Sequence, residues 1–147
     1  MNSRLDIIDA ELDTIIKNSS VKSQRKAIKS LVEFVLDIMN PTDDIVAVCM
    51  AYLRKQEQIP VDFLEKFKIL VEKYDEDYLS ILEEYEMDST SEDKMLKAFT
   101  QARIMSGLLW ATDPDAYTGL AEMIYEINAG WKNLAEMRKI VLETVQG

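Results

Sequence analysis

Residues 60–93 read PVDFLEKFKILVEKYDEDYLSILEEYEMDSTSED, and this stretch decides the fold. Within it Leu64, Phe67, Val71, Tyr74, Tyr78, Ile81 and Tyr85 succeed one another at alternating steps of three and four residues. A half-buried strand would alternate every second position, whereas this spacing is helical and of the heptad type. With Leu64, Val71, Tyr78 and Tyr85 at heptad position a, Phe67, Tyr74 and Ile81 fall at d. Glu65, Glu72, Glu76, Asp77, Glu83, Glu84 and Glu86 then occupy b, f and g, away from the stripe. Pro60 suits the first turn of such a helix. Asp88-Ser89-Thr90-Ser91 reads as the polar break that ends it.

The same segment carries nearly all the net charge. Residues 60–93 hold 12 acids against 3 bases, while residues 1–59 hold 9 against 8 and residues 94–147 hold 6 of each. From Asp75 to Asp93 there are nine acids and no base. Glu83, Glu84, Glu86 and Asp88 stand near the predicted helix C-terminus, where the helix dipole opposes negative charge. A local rule broken without visible gain is a pattern found at functional sites.

Outward from this segment the helical pattern continues. Leu5, Ile8, Leu12, Ile15 and Ile16 predict one helix from Ser3, as N-cap, to Lys17. Ile28, Leu31, Val32, Val35, Ile38 and Met39 predict a central helix over 21–39, stopped by Asn40-Pro41. Thr42 reads as the N-cap of a third helix reaching Gln58, apolar nearly all round from Ile45 to Leu53 and so expected to be buried by several neighbours. Ser91 or Thr90 is expected to cap a helix ending near Thr112, whose small residues Ala102, Ser106 and Gly107 would admit a close neighbour. Asp113-Pro114-Asp115 reads as a helix start with Asp113 as N-cap. Gly130 either ends or bends that helix before Trp131, Leu134, Val141, Leu142 and Val145 continue the apolar side. The expectation is an all-α fold: one compact bundle of six to seven helices, a single domain over residues 1–147.

Composition bounds the chemistry. A chain of 147 residues with 48% apolar and 30% charged residues is globular and can bury roughly 70% of its unfolded surface. Cys49 is the only cysteine and there is no histidine. An intrachain disulfide, Cys/His zinc sites and Ser-His-Asp or Cys-His nucleophile systems are therefore excluded. The four glycines, at 107, 119, 130 and 147, cannot build a phosphate loop or dinucleotide fingerprint. Asp75-Glu76-Asp77 resembles the start of a calcium loop but lacks its glycine and closing glutamate. Glu122 and Glu126, like Glu72 and Glu76, share a helix face and are the candidates for a divalent cation, read as solvated surface carboxylates otherwise. Lys22, Arg25, Lys26 and Lys29 form a basic cluster without interleaved aromatics, read as a solvated face or an internal partner for the acidic helix. The first residues, Met1-Asn2-Ser3-Arg4-Leu5-Asp6, do not resemble a leader. The longest apolar run, Ile45 to Leu53, is far short of the ~20 residues of a spanning helix.

These readings converge on a small cytoplasmic interaction protein, an adaptor, inhibitor or immunity-type protein without catalysis, cofactor or metal. The expected partner-binding residues are Asp77, Glu83, Glu84, Glu86 and Asp88, with Tyr74, Tyr78 and Tyr85 as an adjoining edge. The expected partner is a basic protein surface such as the groove of a nucleic-acid-binding protein, with no direct contact to nucleic acid or membrane. A homodimer formed by self-pairing of the acidic helix would have to overcome its like-charged flanks. The alternatives are a helical-bundle enzyme using carboxylates and a divalent metal, and a structural subunit of a larger assembly.

Overall fold

The computed structural model describes residues 3–146; Met1 and Asn2 of the N-terminal segment and Gly147 lie outside them. The described residues are all-helical, with no strand, and form eight α-helices rather than six or seven: α1 Leu5–Ile8, α2 Ala10–Lys17, α3 Val21–Met39, α4 Asp44–Arg54, α5 Val61–Met87, α6 Glu92–Trp110, α7 Ala116–Gly130 and α8 Leu134–Val145. Two breaks account for the difference. Asp9 leaves helical geometry (φ −156°, ψ 81°) and its carboxylate accepts the Leu12 amide at 3.0 Å, so one expected helix becomes α1 and α2. Gly130 ends α7, and the Thr100 hydroxyl donates to its terminal carbonyl at 2.7 Å, so the C-terminal segment is a helix of its own.

The heptad stripe starts as core. Phe67 is fully buried and Val71 nearly so. α5 runs antiparallel to α6, as Asp75–Arg103, Tyr78–Phe99 and Glu84–Lys94 show, and α6 to α7, as Trp110–Gly119, Arg103–Glu126 and Thr100–Gly130 show. α7 packs in turn on α3, and α3 on α8, and Leu31, Val32 and Val35 of α3 share one buried cluster with Met137 and Val141 of α8. Phe34 stacks on Trp131 with ring centroids 5.7 Å apart, joining α3 to the α7–α8 turn. α6 is buried on two sides because it lies between α5 and α7. The expected small-residue face is the one that α7 approaches. A Cβ placed on Gly107 would come within 2.6 Å of the Ile127 side chain, and one on Gly119 within 2.8 Å of the Trp110 carbonyl oxygen.

Several local expectations are corrected. α4 begins after Asp43, not Thr42, and ends at Arg54. It is not covered all round: Ala47 and Val48 are exposed, because α4 packs on α5 and α3 from one side. Its end turns through Gln56 in the left-handed region (φ 57°), with the Glu57 amide donating to the Tyr52 carbonyl and that of Gln56 to Leu53. This is the hydrogen-bond pattern of a Schellman cap, formed here around a glutamine. The N-cap of α7 is Asp115, whose carboxylate accepts the Thr118 amide at 3.0 Å, while Asp113 accepts the amide of Asp115. Neither Thr90 nor Ser91 caps α6 through its side chain; Asp88 instead organises a 3-10 turn over Ser89–Ser91. Cys49 is buried, and burial pushes its thiol pKa up.

The contact at Gly119 yields a test. Gly119→Ala adds a good helix former, worth about 1 kcal/mol in an open helix. Here the new Cβ meets backbone that cannot swing aside, so urea unfolding is expected to show a net loss of about 1–3 kcal/mol. Ser80→Ala on an exposed face of α5 is the control and leaves the midpoint unchanged or higher.

Candidate functional site

α5 has 27 residues and at ~1.5 Å rise per residue is about 40 Å long. Its inner half lies on the main core, through Phe63, Phe67, Leu70, Val71 and Tyr74. Beyond Tyr74 the stripe leaves that core. Tyr78, Ile81, Leu82 and Tyr85 are half-buried, and none belongs to the main apolar cluster or packs against it. α5 packs on α6, and the Tyr78 and Phe99 rings lie 5.2 Å apart across that contact. The outer parts of α5 and α6 therefore form a two-helix arm that carries the acidic segment.

Asp77, Glu83, Glu84, Glu86 and Asp88 are all exposed on this arm. Glu84 meets Lys94 at 3.4 Å, an exposed pair that contributes little. Asp77, Glu83 and Glu86 enter no ion pair among the described residues. Asp88 acts locally, since its carboxylate accepts the Thr90 amide at 3.0 Å, which holds its pKa below the usual carboxylate range. The structure groups Tyr78 and Tyr85 with these acids. Tyr74 sits at the base, where its hydroxyl donates to Asp43 at 2.7 Å and the charge of Asp77 also reaches it. Burial, together with that hydrogen bond and the Asp43 charge, pushes its pKa up to about 12.

Four apolar side chains of the arm were not among the expected site residues. Leu79 is 54% exposed, Leu96 50% and Met87 91%, with Leu82 half-buried nearby in sequence. Leu79 and Met87 fall off the heptad stripe on an otherwise charged helix, and that was the available signal.

The arm is rooted in a charged network that the sequence pattern did not reveal. Glu122 and Glu126 are buried rather than solvated. Glu122 accepts the Arg4 amide at 3.1 Å and the Arg4 Nε at 2.6 Å. Glu126 accepts a second Arg4 nitrogen at 2.6 Å and an Arg103 nitrogen at 2.7 Å. Arg103 reaches on to Asp75 of α5 at 2.6 Å. All four oxygens of the two glutamates are taken by N–H donors, so this pair does not present free ligands to a cation. Burial draws the Arg4 pKa down, but hydrogen bonds and charge from Glu126 and Glu122 outweigh it, and the net shift is upward. Arg4 also lies over the Tyr125 ring at 4.4 Å. The signal was present: these glutamates are the only charges in α7, an otherwise apolar helix.

Nearby, Asp13 is buried and accepts hydroxyls from Ser3 at 2.8 Å and Tyr117 at 2.6 Å. The basic cluster does not serve the acidic helix. Arg25 donates to the carbonyls of Asp113 and Pro114, and Lys22 and Lys26 are exposed. Among the described residues no group of three or more Asp, Glu, Cys or His side chains is placed to hold a metal ion, and no helix is long and apolar enough to cross a membrane. Comparison with known proteins gives no matching family model, no matching curated protein and no matching solved structure.

Two tests follow from this geometry. Glu126→Ala leaves Arg4 and Arg103 without their shared partner, and equilibrium unfolding is expected to lose about 3 kcal/mol. The Tyr74 pKa is raised above its ordinary 10.0, so the folded state holds its proton more tightly than the unfolded chain does. Its contribution to stability is therefore complete below pH 10 and declines as pH rises through about 12. Tyr117 is shifted the same way, by burial and Asp13. Tyr74→Phe should thus lower stability at neutral pH by roughly 0.5–1.5 kcal/mol and reduce, without abolishing, the alkaline decline of the urea midpoint.

Proposed function

We propose that this chain is a non-enzymatic interaction protein that presents the acidic α5–α6 arm to a basic surface of a partner protein. The observation that supports this most directly is the arm itself. Beyond Tyr74 it leaves the main core, keeps Asp77, Glu83 and Glu86 outside any ion pair among the described residues, and exposes Leu79, Met87 and Leu96 among them. Like charges on a projecting arm repel one another and weaken the native state, a burden that a basic partner would lift. The exposed apolar side chains and the Tyr78 and Tyr85 edges supply the contact area that charge alone lacks.

Recognition of this kind works in two stages. The field of the acidic segment steers a basic partner in, which raises the association rate and makes it sensitive to salt. Apolar side chains then set the dissociation rate. A groove of a nucleic-acid-binding protein fits as the partner surface, and occupying it would compete with that protein's own ligand. The cytoplasmic setting is part of this reading.

The test is capture of basic partners from the native host on the immobilised chain, followed by salt titration of the purified pair. Replacing Glu83, Glu84 and Glu86 together by Gln is expected to weaken binding roughly tenfold or more at low salt and to flatten the salt dependence. Those residues are exposed, so the variant should unfold at or above the parent's midpoint. Affinity indifferent both to salt and to this replacement refutes the proposal.

A further inference from the structure

α4 carries a face that the fold does not cover. From Ile45 to Leu53 no residue is charged, the pattern of a helix enclosed by neighbours. Its packing on α5 and α3 leaves the other side open. Val46, Cys49 and Met50 turn inward and are fully buried, while Ala47 and Val48 are exposed and Ala51 and Tyr52 half-buried. At about 100° per residue, Asp44, Val48, Ala51 and Lys55 fall within about 60° of one another around the helix. They form one outward stripe, with an acid at its first turn, a base just past its last and uncharged side chains between.

This stripe is complementary to itself. When two copies of a helix pair antiparallel about a two-fold axis, each contact is made twice with the roles exchanged. An axis level with the Cys49–Met50 peptide sets Asp44 of each copy against Lys55 of the other, and Val48 against Ala51 between them. Asp44 and Lys55 are exposed, and neither enters an ion pair among the described residues. The neighbouring charges keep the same polarity: Asp43 stands at the acidic end, where it accepts the Tyr74 hydroxyl, and Arg54 at the basic end. The next acid, Glu57, lies past the helix end, where the chain turns through Gln56. The two-fold operation also keeps the acidic arms apart. α4 runs antiparallel to the inner half of α5, since Asp43 meets Tyr74 and the Tyr52 ring lies 6.2 Å from that of Phe63. Reversing α4 therefore reverses α5, and the two acidic segments point to opposite ends of the pair.

We propose that the outer face of α4 docks a second copy of this chain, forming a two-fold dimer in which the α4 helices pair antiparallel. The contact is one helix face, smaller than a standard interface, so the dimer is weak and reversible. The two Asp44–Lys55 pairs are exposed and fix the register more than the strength. This surface is separate from the acidic arm and stands whether or not the arm binds a partner.

Sedimentation equilibrium of the full chain from about 10 μM to about 1 mM tests this, a range that suits a small interface. A monomer–dimer equilibrium is expected, with its midpoint in the upper part of that range. Each chain carries a net charge of −10, so the two bodies repel at long range. Raising salt from about 20 to about 150 mM should screen that repulsion and strengthen the dimer several-fold, the reverse of the salt dependence expected for the arm. Val48→Glu puts a carboxylate in the middle of the stripe and should weaken the dimer at least tenfold, while Val21→Glu on exposed α3 surface leaves it within twofold. Asp44→Lys and Lys55→Asp each set like charges together and should each weaken it several-fold. Both changes in one chain restore opposite signs and should recover most of the affinity, a rescue that a disturbed fold would not give. A chain that stays monomeric throughout, a dimer untouched by Val48→Glu, or no recovery in the double variant overturns the proposal. So does association that weakens with salt and is lost on replacing Glu83, Glu84 and Glu86 by Gln, which would put the contact on the arm instead.

Discussion

Two carboxylates on the most deeply buried helix of the fold must be neutralised, and much of the architecture is arranged to do so. An unpaired charge at Glu122 or Glu126 would carry a desolvation penalty of several kcal/mol. Arg4 and Arg103 remove it with planar guanidinium groups that can address two oxygens at once, a geometry a lysine does not offer. Satisfying the pair therefore draws the N-terminal segment onto α7 and fixes the register of α6 against α7. Through the second branch of Arg103 to Asp75 it also sets where α5 leaves the core. Among the described residues no buried side-chain nitrogen or oxygen lacks a partner, so the network specifies one arrangement without leaving a polar atom exposed to hydrocarbon.

The fold has two regimes on either side of that network. Inside it, Phe67, Leu108, Leu120, Met123 and Ile124 are fully buried, and packing is close enough that Gly107 and Gly119 have no room for a methyl group. Outside it, the arm has a single seam, an excess of acids and several exposed apolar side chains. A helix end that works against its own dipole and its own charges is poorly explained by stability alone. The same features are useful if the arm meets a basic surface. On the reading proposed above, function and stability would be separated along one helix, with Asp75 at the boundary.

The all-helical class was legible because apolar spacing reports it directly, and the α5 stripe picked out Phe67 and Val71, which the structure buries. Boundaries were less so, because caps are chosen by geometry among several eligible residues. Asp113 and Asp115 are both plausible N-caps, and only the folded loop selects Asp115. Asp9 shows the reverse case: it sits inside an unbroken apolar pattern, yet its carboxylate caps α2 while Arg138 of α8 reaches both Asp9 and Glu11. The acids of the arm were visible as a charge asymmetry. The burial of Glu122 and Glu126 was legible only as two charges on an otherwise apolar helix; their partners, at positions 4 and 103, leave no trace in local spacing.

The continuity of α5 has a further physical consequence. One unbroken run of helical hydrogen bonds passes from turns clamped by core side chains to turns held by α6 alone. The outer turns lie outside the main apolar cluster, so their amides are expected to exchange with solvent through a local opening rather than through global unfolding. The arm is thus expected to open as a unit at lower cost than the body that carries it. A molecule laid along its seam would register first as slowed exchange in residues 78–87, well before any change in the stability of the whole chain.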